Sequence, residues 1–301
     1  ITERRGNIAF TTINLPRLAI KAKGLIGEFY RQLEKMLELA CEQLYHRYRV
    51  LSELKVKDLP FVMGQHLYLG SEDLKDDDVI EPAVKHGTLS VGFIGLAEAL
   101  ILLNGKHHGE SDDSQAMGIS IVQYMRRMID KACDEYDLNY TLLATPAEGL
   151  SGRFVSIDRE QYGEIPGVTD KEYYTNSFHI PVNHDISIFE KISKEGPYHK
   201  YTNAGHISYI EFPSPPVHNL DAIETVIKHM RACDMGYVGI NFPIDFCESC
   251  YYRGVIPGDA CPNCGGQEIK RVRRITGYLS TVDRFNDAKV AELRDRKSHR
   301  F

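Results

Sequence analysis

The sequence lacks an excess of positive charge, a long apolar run and any internal repeat. Its formal net charge is −6 over 301 residues, which gives no overall attraction for nucleic acids or anionic membranes. No apolar segment approaches the roughly 20 residues that a transmembrane helix needs. The hydrophobic fraction of 43% and the charged fraction of 26% are typical of a globular protein of one or two domains. We therefore expect neither membrane insertion nor direct nucleic-acid binding.

The sequence also lacks a secretory signal peptide, and its cysteine count of seven is odd. Both features argue against a disulfide framework and for a reducing, cytoplasmic compartment. Three cysteines, Cys41, Cys133 and Cys233, lie singly in helical patterns, and we expect them to be buried structural thiols. The chain starts with Ile1 directly before a strand-like motif, so we expect it to be part of a longer polypeptide.

Strand-like and helical segments alternate before the cysteine-rich end, which favours an α/β core. Helices are expected at 26–51, 96–103, 114–136 and 220–233, and strands with their loops at 7–13, 88–95, 138–144, 173–180, 205–212 and 237–242. The composition changes near Phe246, where a segment rich in Cys, Gly and Pro begins. The sequence therefore predicts two domains, 1–242 and 243–301.

Four cysteines in the second domain form two C-x2-C pairs with ten residues between them: Cys247, Cys250, Cys261 and Cys264. Four thiolates at this spacing can surround a zinc ion tetrahedrally. Since all four coordination positions would be filled by the protein, the zinc is expected to be structural. A disulfide pair, a thioredoxin-like redox site and an iron–sulfur cluster are weaker alternatives.

A strand-like run follows the cysteines, from Val272 to Leu279, and its single glycine is Gly277. Together with the cysteines, this run resembles the terminal domain of the oxygen-sensitive (class III) ribonucleoside-triphosphate reductases, in which a glycine carries a stable backbone radical. Further segments resemble the same family: 5–17, 92–96, 145–148, 174–179 and 205–209. The resemblance therefore covers essentially the whole chain.

The resemblance implies an enzyme that reduces ribonucleoside triphosphates to 2′-deoxyribonucleoside triphosphates without oxygen. It implies half of a ten-stranded α/β barrel of the glycyl-radical-enzyme type, closed by an N-terminal half, with a small zinc-binding domain that threads Gly277 inward. The implied partners are an iron–sulfur activase that uses S-adenosylmethionine, a reductant that is either formate or a thioredoxin-like protein, and a second copy in a homodimer. An allosteric nucleotide site would belong to the N-terminal half.

The residue type at position 277 fits this chemistry. A Cα radical is delocalised into the flanking amide nitrogen and carbonyl, which requires a planar Cα. Glycine has no side chain to crowd that plane. Because such a radical survives only where oxygen and water are excluded, we expect the loop to insert into the core. The alternative is that Gly277 is an ordinary bulge in a β-hairpin.

The resemblance also implies a thiyl-forming cysteine shortly before the segment Arg5-Gly6-Asn7. The sequence has no cysteine there, and none of its three single cysteines corresponds to that residue. The chain on its own is therefore not expected to catalyse the reaction.

Three further residues are candidates for the active site. Glu148 lies in a proline-containing loop after a strand, and we expect it to assist proton transfer while the 2′-hydroxyl is lost. An exposed loop glutamate is the alternative. Asn7 and Asn14 are expected to face the substrate from the first strand and its end, although Asn14 is equally suited to form a turn.

The histidines do not indicate a second metal site. His107 and His108 are neighbours in a loop, without further ligands at a fitting spacing, so we expect them at the surface. His179 and His206 lie in strand-like segments, where we expect satisfied histidines of the core or of loops.

Two other functions stay open. A glycyl-radical enzyme of the formate-lyase type would share the glycine, but those relatives lack this four-cysteine pattern. A zinc-ribbon module that binds nucleic acid would need a basic face with aromatic residues. The run from Lys270 to Arg274 is locally basic, within an acidic chain. The chemistry of Gly277 distinguishes these functions.

Overall fold

A three-stranded parallel sheet lies at the centre of the N-terminal region in the computed structural model, which describes residues 4–301. The strand order is β1-β2-β3, with β1 at Asn7–Asn14, β2 at Thr88–Ile94 and β3 at Asn139–Ala144. Parallel strands covered on both faces are typically continuous apolar runs. In β2, only Thr88 is not fully buried.

Helices connect and cover these strands. They are α1 (Leu15–Ala22), α2 (Ile26–Ser52), α3 (Pro60–Gly64), α4 (Glu81–Val84), α5 (Leu96–Asn104), α6 (Asp112–Tyr136), α7 (Gly149–Tyr162), α8 (Ile188–His199), α9 (Leu220–Ala232) and α10 (Asp287–Asp295). The buried face of α2 carries Phe29, Leu33, Leu37 and Leu44 at helical spacing, and all four belong to the main apolar core. The amphipathic pattern of the sequence therefore positions this helix against the sheet.

A second pair of parallel strands follows, β4 (Ser208–Glu211) and β5 (Val238–Asn241). A parallel bridge between Leu143 and Gly205 joins β3 to the segment just before β4. The result is a mixed α/β fold, and residues 4–301 do not form a closed barrel.

An antiparallel sheet in the order β7-β6-β8-β9 forms the cysteine-rich region. Its strands are β6 (Ile244–Cys247), β7 (Arg253–Gly254), β8 (Ile269–Arg274) and β9 (Leu279–Thr281). The chain then returns to the N-terminal region, where α10 packs against α7. The Lys297 amide donates to the Val182 carbonyl over 2.9 Å, and Arg300 forms a parallel bridge with Ser187. The C-terminal tail thus joins the two regions.

Most of the predicted elements are confirmed, but the strand predicted at 173–180 is wrong. This segment consists of turns and irregular structure. Its backbone bonds go to the start of α5: the Gly95 amide donates to the Thr175 carbonyl over 2.8 Å, and the buried Glu98 carboxylate accepts from the Thr175 amide over 3.0 Å. A buried carboxylate therefore takes the place of a strand partner. Within residues 4–301, none of the helices combines the length and apolar character that crossing a membrane requires.

Candidate functional site

The four paired cysteines converge on one point. Their Sγ atoms all lie within 4.8 Å of one another, with 3.7 Å between Cys247 and Cys264 and 3.6 Å between Cys250 and Cys261. A regular tetrahedron with Zn–S bonds of about 2.3 Å places its sulfurs about 3.8 Å apart. The donor set and its geometry therefore fit a tetrahedral zinc site.

Polar groups around the cysteines donate hydrogen bonds to two of the sulfur atoms. The side-chain amide of Asn263 donates to Cys250 Sγ over 3.4 Å, and the Gly266 amide donates to Cys264 Sγ over 3.4 Å. Such hydrogen bonds from outside the ligand set orient the ligands of a metal. Gly265 has a φ of +74°, a conformation that glycine adopts at low cost, and this lets the second pair fold back.

A buried carboxylate connects the cysteine cluster to the strand that precedes Gly277. Asp245, on β6 next to the first cysteine pair, accepts from the Ile256 amide over 2.8 Å. The same side chain pairs with Arg273 over 2.6 Å and with Arg271 over 3.5 Å, both on β8. The loop between the two cysteine pairs and β8 therefore both bind the buried Asp245 carboxylate, which fixes their relative position.

Gly277 lies at the tip of the hairpin between β8 and β9. The Ile275 amide donates to the Tyr278 carbonyl over 2.9 Å, so Thr276 and Gly277 form a two-residue loop. Thr276 is buried, whereas Gly277 is exposed on this chain. The predicted insertion into a core is therefore not complete within residues 4–301.

Neither packing nor backbone conformation explains the glycine at position 277. Its φ lies outside the left-handed region, and a Cβ at this position would meet nothing within 4 Å among the described residues. By contrast, a Cβ at Gly95 would lie 2.3 Å from Pro16 Cγ, at a φ of +76°. The local structure would accept a side chain at position 277. This favours a chemical reason for the glycine over a steric one.

Glu148 meets the tip of this hairpin. It lies just after β3, at the start of α7, and its carboxylate accepts a hydrogen bond of 3.1 Å from the Tyr278 hydroxyl. This contact raises the pKa of Tyr278, because ionising the phenol beside a carboxylate is unfavourable. The structure therefore brings the Gly277 loop and Glu148 together at the carboxyl end of the parallel sheet.

Asn14 lies at the same end of the sheet, and Asn7 lies at the other. The Asn14 side chain caps α1 by accepting from the Arg17 amide over 3.1 Å, and it donates to buried Asp158 over 2.8 Å. Asn7 begins the eight-residue strand β1, within hydrogen-bond distance of Ser90. At about 3.3 Å per residue, the two asparagines are about 23 Å apart.

Two of the predictions for the histidines are confirmed, and one is wrong. His179 Nε2 lies 2.7 Å from the Ile207 carbonyl, and His206 Nδ1 lies 2.9 Å from a partner in its own loop, so both are satisfied. His107 and His108, predicted at the surface, are only 7% and 0% exposed. His108 Nε2 lies 2.8 Å from a backbone carbonyl, and burial lowers the pKa of His108 to about 3.

Of the single cysteines, Cys41 is buried as predicted, whereas Cys133 and Cys233 are half-buried. Burial raises the pKa of the Cys41 thiol to about 12, which leaves it protonated and unreactive.

The sequence analysis missed a cluster of buried charges beneath the hairpin. Glu211, at the end of β4, accepts from Arg274 Nη2 over 2.7 Å, and Arg296 pairs with Glu292 over 2.8 Å. Burial raises the pKa of Glu211, but the two guanidinium groups outweigh this effect and hold it below its ordinary value. The only sequence signal was a glutamate at the end of an apolar strand, because its partners lie far away in the chain.

Comparisons with known proteins show which family this chain resembles. Residues 1–299 match the family described as "Anaerobic ribonucleoside-triphosphate reductase". Proteins of that name from Salmonella typhimurium and Escherichia coli are 37% and 36% identical to this chain, over 99% of it and 43% of their own length. The protein from Enterobacteria phage T4 is 34% identical, over 99% of this chain and 50% of its own length.

Solved structures share the fold. One described as "Anaerobic ribonucleotide reductase" has a TM-score of 0.79 at 20% identity, covering 99% of this chain and 46% of that one. The Thermotoga maritima enzyme in complex with dATP and CTP has a TM-score of 0.73 at 20% identity, covering 96% of this chain and 45% of that one. This chain thus spans less than half the length of most of these proteins. It belongs to the anaerobic ribonucleoside-triphosphate reductase family.

Proposed function

We propose that the chain is the C-terminal part of an enzyme that reduces ribonucleoside triphosphates to deoxyribonucleotides without oxygen, with Gly277 as the radical residue. The position of Gly277 carries this proposal. It lies at the tip of the hairpin whose strand β8 begins next to the four-cysteine cluster, and its neighbour Tyr278 contacts Glu148 at the carboxyl end of a parallel sheet. Among the described residues, no local steric demand requires glycine there.

The finer architecture is part of the proposal. We infer that the strands of residues 1–242 form half of a ten-stranded α/β barrel, and that residues 243–301 form the zinc-binding and glycyl-radical domain. Within residues 4–301, β1 is an edge strand of its sheet, which supports the first inference because a barrel continues at such an edge. The change from parallel to antiparallel pairing after β5 supports the second. The tail from α10 onwards packs back onto the first region.

Zinc bound to the four cysteines would supply a rigid base for β8 and hence for the hairpin. Hydrogen would be removed from the Gly277 Cα by an iron–sulfur activase that uses S-adenosylmethionine. The exposed position of Gly277 on this chain suits such an encounter. The radical would then pass to a cysteine in the N-terminal part of the enzyme.

Among the candidate substrate residues, Glu148 is the best placed. We propose that it moves a proton while water leaves from C2′ of the ribose, since it lies at the strand ends and contacts the hairpin through Tyr278. Asn14 shares that end of the sheet, but its side chain already caps a helix, which favours a supporting role. Asn7 lies at the far end, which speaks against direct substrate contact for that residue.

We infer the partners of the full-length enzyme from its family. They are the ribonucleoside triphosphate, the N-terminal half, the activase, a reductant that is formate or a thioredoxin-like protein, and a second copy of the enzyme. Thermotoga maritima structures in this family hold dATP in a specificity site and CTP. The four cysteines form no disulfide, and cysteines that must stay unoxidised need a reducing environment, which supports a cytoplasmic location.

The zinc-ribbon alternative is disfavoured by the pairing of its basic residues. Lys270 pairs with Glu248, and Arg271 and Arg273 both pair with Asp245. Much of the positive charge of β8 is therefore neutralised within the fold, which leaves little of it to bind the phosphates of a nucleic acid.

Anaerobic electron paramagnetic resonance (EPR) of the full-length enzyme tests the proposal. After treatment with the activase and S-adenosylmethionine, we expect a doublet that collapses when glycine is deuterated at Cα and that is absent in Gly277→Ala. Gly27→Ala is the matched control, since a Cβ at Gly27 also meets nothing within 4 Å among the described residues. Its doublet should persist. A doublet that survives Gly277→Ala would refute the assignment.

A further inference from the structure

The peptide bond that precedes Gly277 is held by two side chains. The Tyr209 hydroxyl, from β4, donates to the Thr276 carbonyl. Arg274 Nη1 donates to the same oxygen over 3.0 Å. Thr276 is only 2% exposed, so bulk water does not compete for this carbonyl. A buried carbonyl with two side-chain donors, one of them charged, is strongly polarised.

The Arg274 guanidinium is itself fixed from several sides. It pairs with Glu211 over 2.7 Å, and its central carbon lies 3.1 Å from the centre of the Tyr209 ring. Arg296 donates to the Arg274 carbonyl over 3.1 Å, which holds the backbone at the end of β8. Charges in such a desolvated site interact more strongly than in water. The two donors are therefore a rigid, preorganised pair.

The electronic consequence concerns the nitrogen of Gly277. That nitrogen and the Thr276 carbonyl belong to one amide group, in which the nitrogen lone pair is shared with the carbonyl. Donors at the oxygen draw the lone pair further towards the carbonyl. A radical at the Gly277 Cα is stabilised by donation from the same lone pair. Polarising the amide therefore lowers the spin density on the nitrogen and makes the radical more reactive.

We propose that Tyr209 and Arg274 are positioning residues that polarise the Thr276–Gly277 peptide and keep a Gly277 radical reactive towards a thiol. This inference rests on the proposed function, because it requires a radical at Gly277. In the transfer, a thiol S–H bond breaks and the Gly277 Cα–H bond forms, so one hydrogen atom moves and no other reactant is needed. A less stabilised radical forms a stronger C–H bond, which favours this transfer.

The test uses the activated full-length enzyme with 15N-labelled glycine. In Tyr209→Phe we expect the doublet to remain, the nitrogen hyperfine coupling to increase, and turnover per radical to fall about fivefold to tenfold, as loss of one hydrogen bond implies. Arg274→Lys should change the coupling in the same direction. Tyr173→Phe is the matched control: Tyr173 is also buried, but its hydroxyl donates to Asp295 instead of the hairpin. Its coupling should equal that of the wild type.

The outcomes separate the two proposals. No doublet in the wild type would overturn the radical assignment itself. A normal wild-type doublet, with an unchanged nitrogen coupling in both Tyr209→Phe and Arg274→Lys, would overturn only the inference on polarisation. Arg274→Lys keeps the inference testable if Tyr209→Phe fails to fold, and zinc content checks the fold of each variant. A merely structural role would lower the radical yield without raising the nitrogen coupling.

Discussion

The parallel-strand region and the cysteine-rich region are held together by different forces. The first has a large apolar core that packs β1, β2 and β3 against helices such as α2 and α6. Among the described residues, the apolar cluster of the second has only three buried members, Cys247, Ile256 and Cys261, and two of them belong to the four-cysteine cluster. Burial of apolar surface therefore stabilises the first region, and metal coordination and buried ion pairs must stabilise the second.

This difference suits the proposed roles of the two regions. A sheet that positions a substrate benefits from a rigid apolar core. A hairpin that must meet both an activase and an active site benefits from an anchor that is strong but small. The cysteine cluster and the Asp245 ion pairs provide such an anchor, and the Glu211 cluster joins it to the sheet.

Removing the metal should have the largest effect, and this effect should be confined to the cysteine-rich region. Cys261→Ser, or treatment with a strong chelator, should unfold the segment 243–281 while the parallel-strand region keeps its helical circular dichroism. Zinc binding supplies on the order of 10 kcal/mol of folding free energy in small zinc domains. Elemental analysis and limited proteolysis measure the two effects. Cys233→Ser, outside the cluster, is the control and should retain the metal. Full zinc content in Cys261→Ser would contradict the assignment.

A cavity in the apolar core should destabilise the parallel-strand region. Phe93 on β2 is fully buried, so Phe93→Ala should lower the free energy of unfolding by about 3–5 kcal/mol. Denaturant unfolding followed by circular dichroism measures this change. Phe61→Ala, at a position 72% exposed, should have little effect. If Phe93→Ala released zinc under native conditions, the two regions would have to be regarded as one cooperative unit.

Lowering the pH should destabilise the parallel-strand region, because its buried histidines are neutral in the folded state. The segment 243–281 contains no histidine, so this effect does not arise there. Burial lowers the pKa of His108 from 6.5 to about 3, so below pH 6.5 the unfolded chain takes up a proton that the folded chain does not. Stability then falls as the pH falls. Between pH 6.5 and 5, His108 alone should account for about 2 kcal/mol.

Unfolding free energies measured across this pH range provide the test. His108→Gln should reduce their slope against pH, whereas His218→Gln, at an exposed position, should leave the slope unchanged. An equal slope in His108→Gln and the wild type would show that this histidine is protonated in the folded state.

Prediction from the sequence worked where the physical cause is local. The long helix α2 follows from apolar residues at helical spacing, and the cysteine cluster follows from four cysteines within 18 residues. It failed for the segment 173–180, whose apolar and aromatic residues suggest a strand. There, the buried carboxylate of Glu98, 77 residues away from Thr175, satisfies the backbone instead.

The candidate site shows the same division. By itself, the sequence determined which four cysteines belong together, most of the strands and helices of the α/β core, and the glycine of the hairpin, because each depends on residue types at short spacing. Only the tertiary structure decided that the Gly277 hairpin lies at the end of the sheet that carries Asn14, that His107 and His108 are buried, and that Glu211 and Arg274 meet beneath Gly277. The last contact joins residues 63 positions apart. Charges at such distances in the chain are paired by packing of the whole core, which no local pattern encodes.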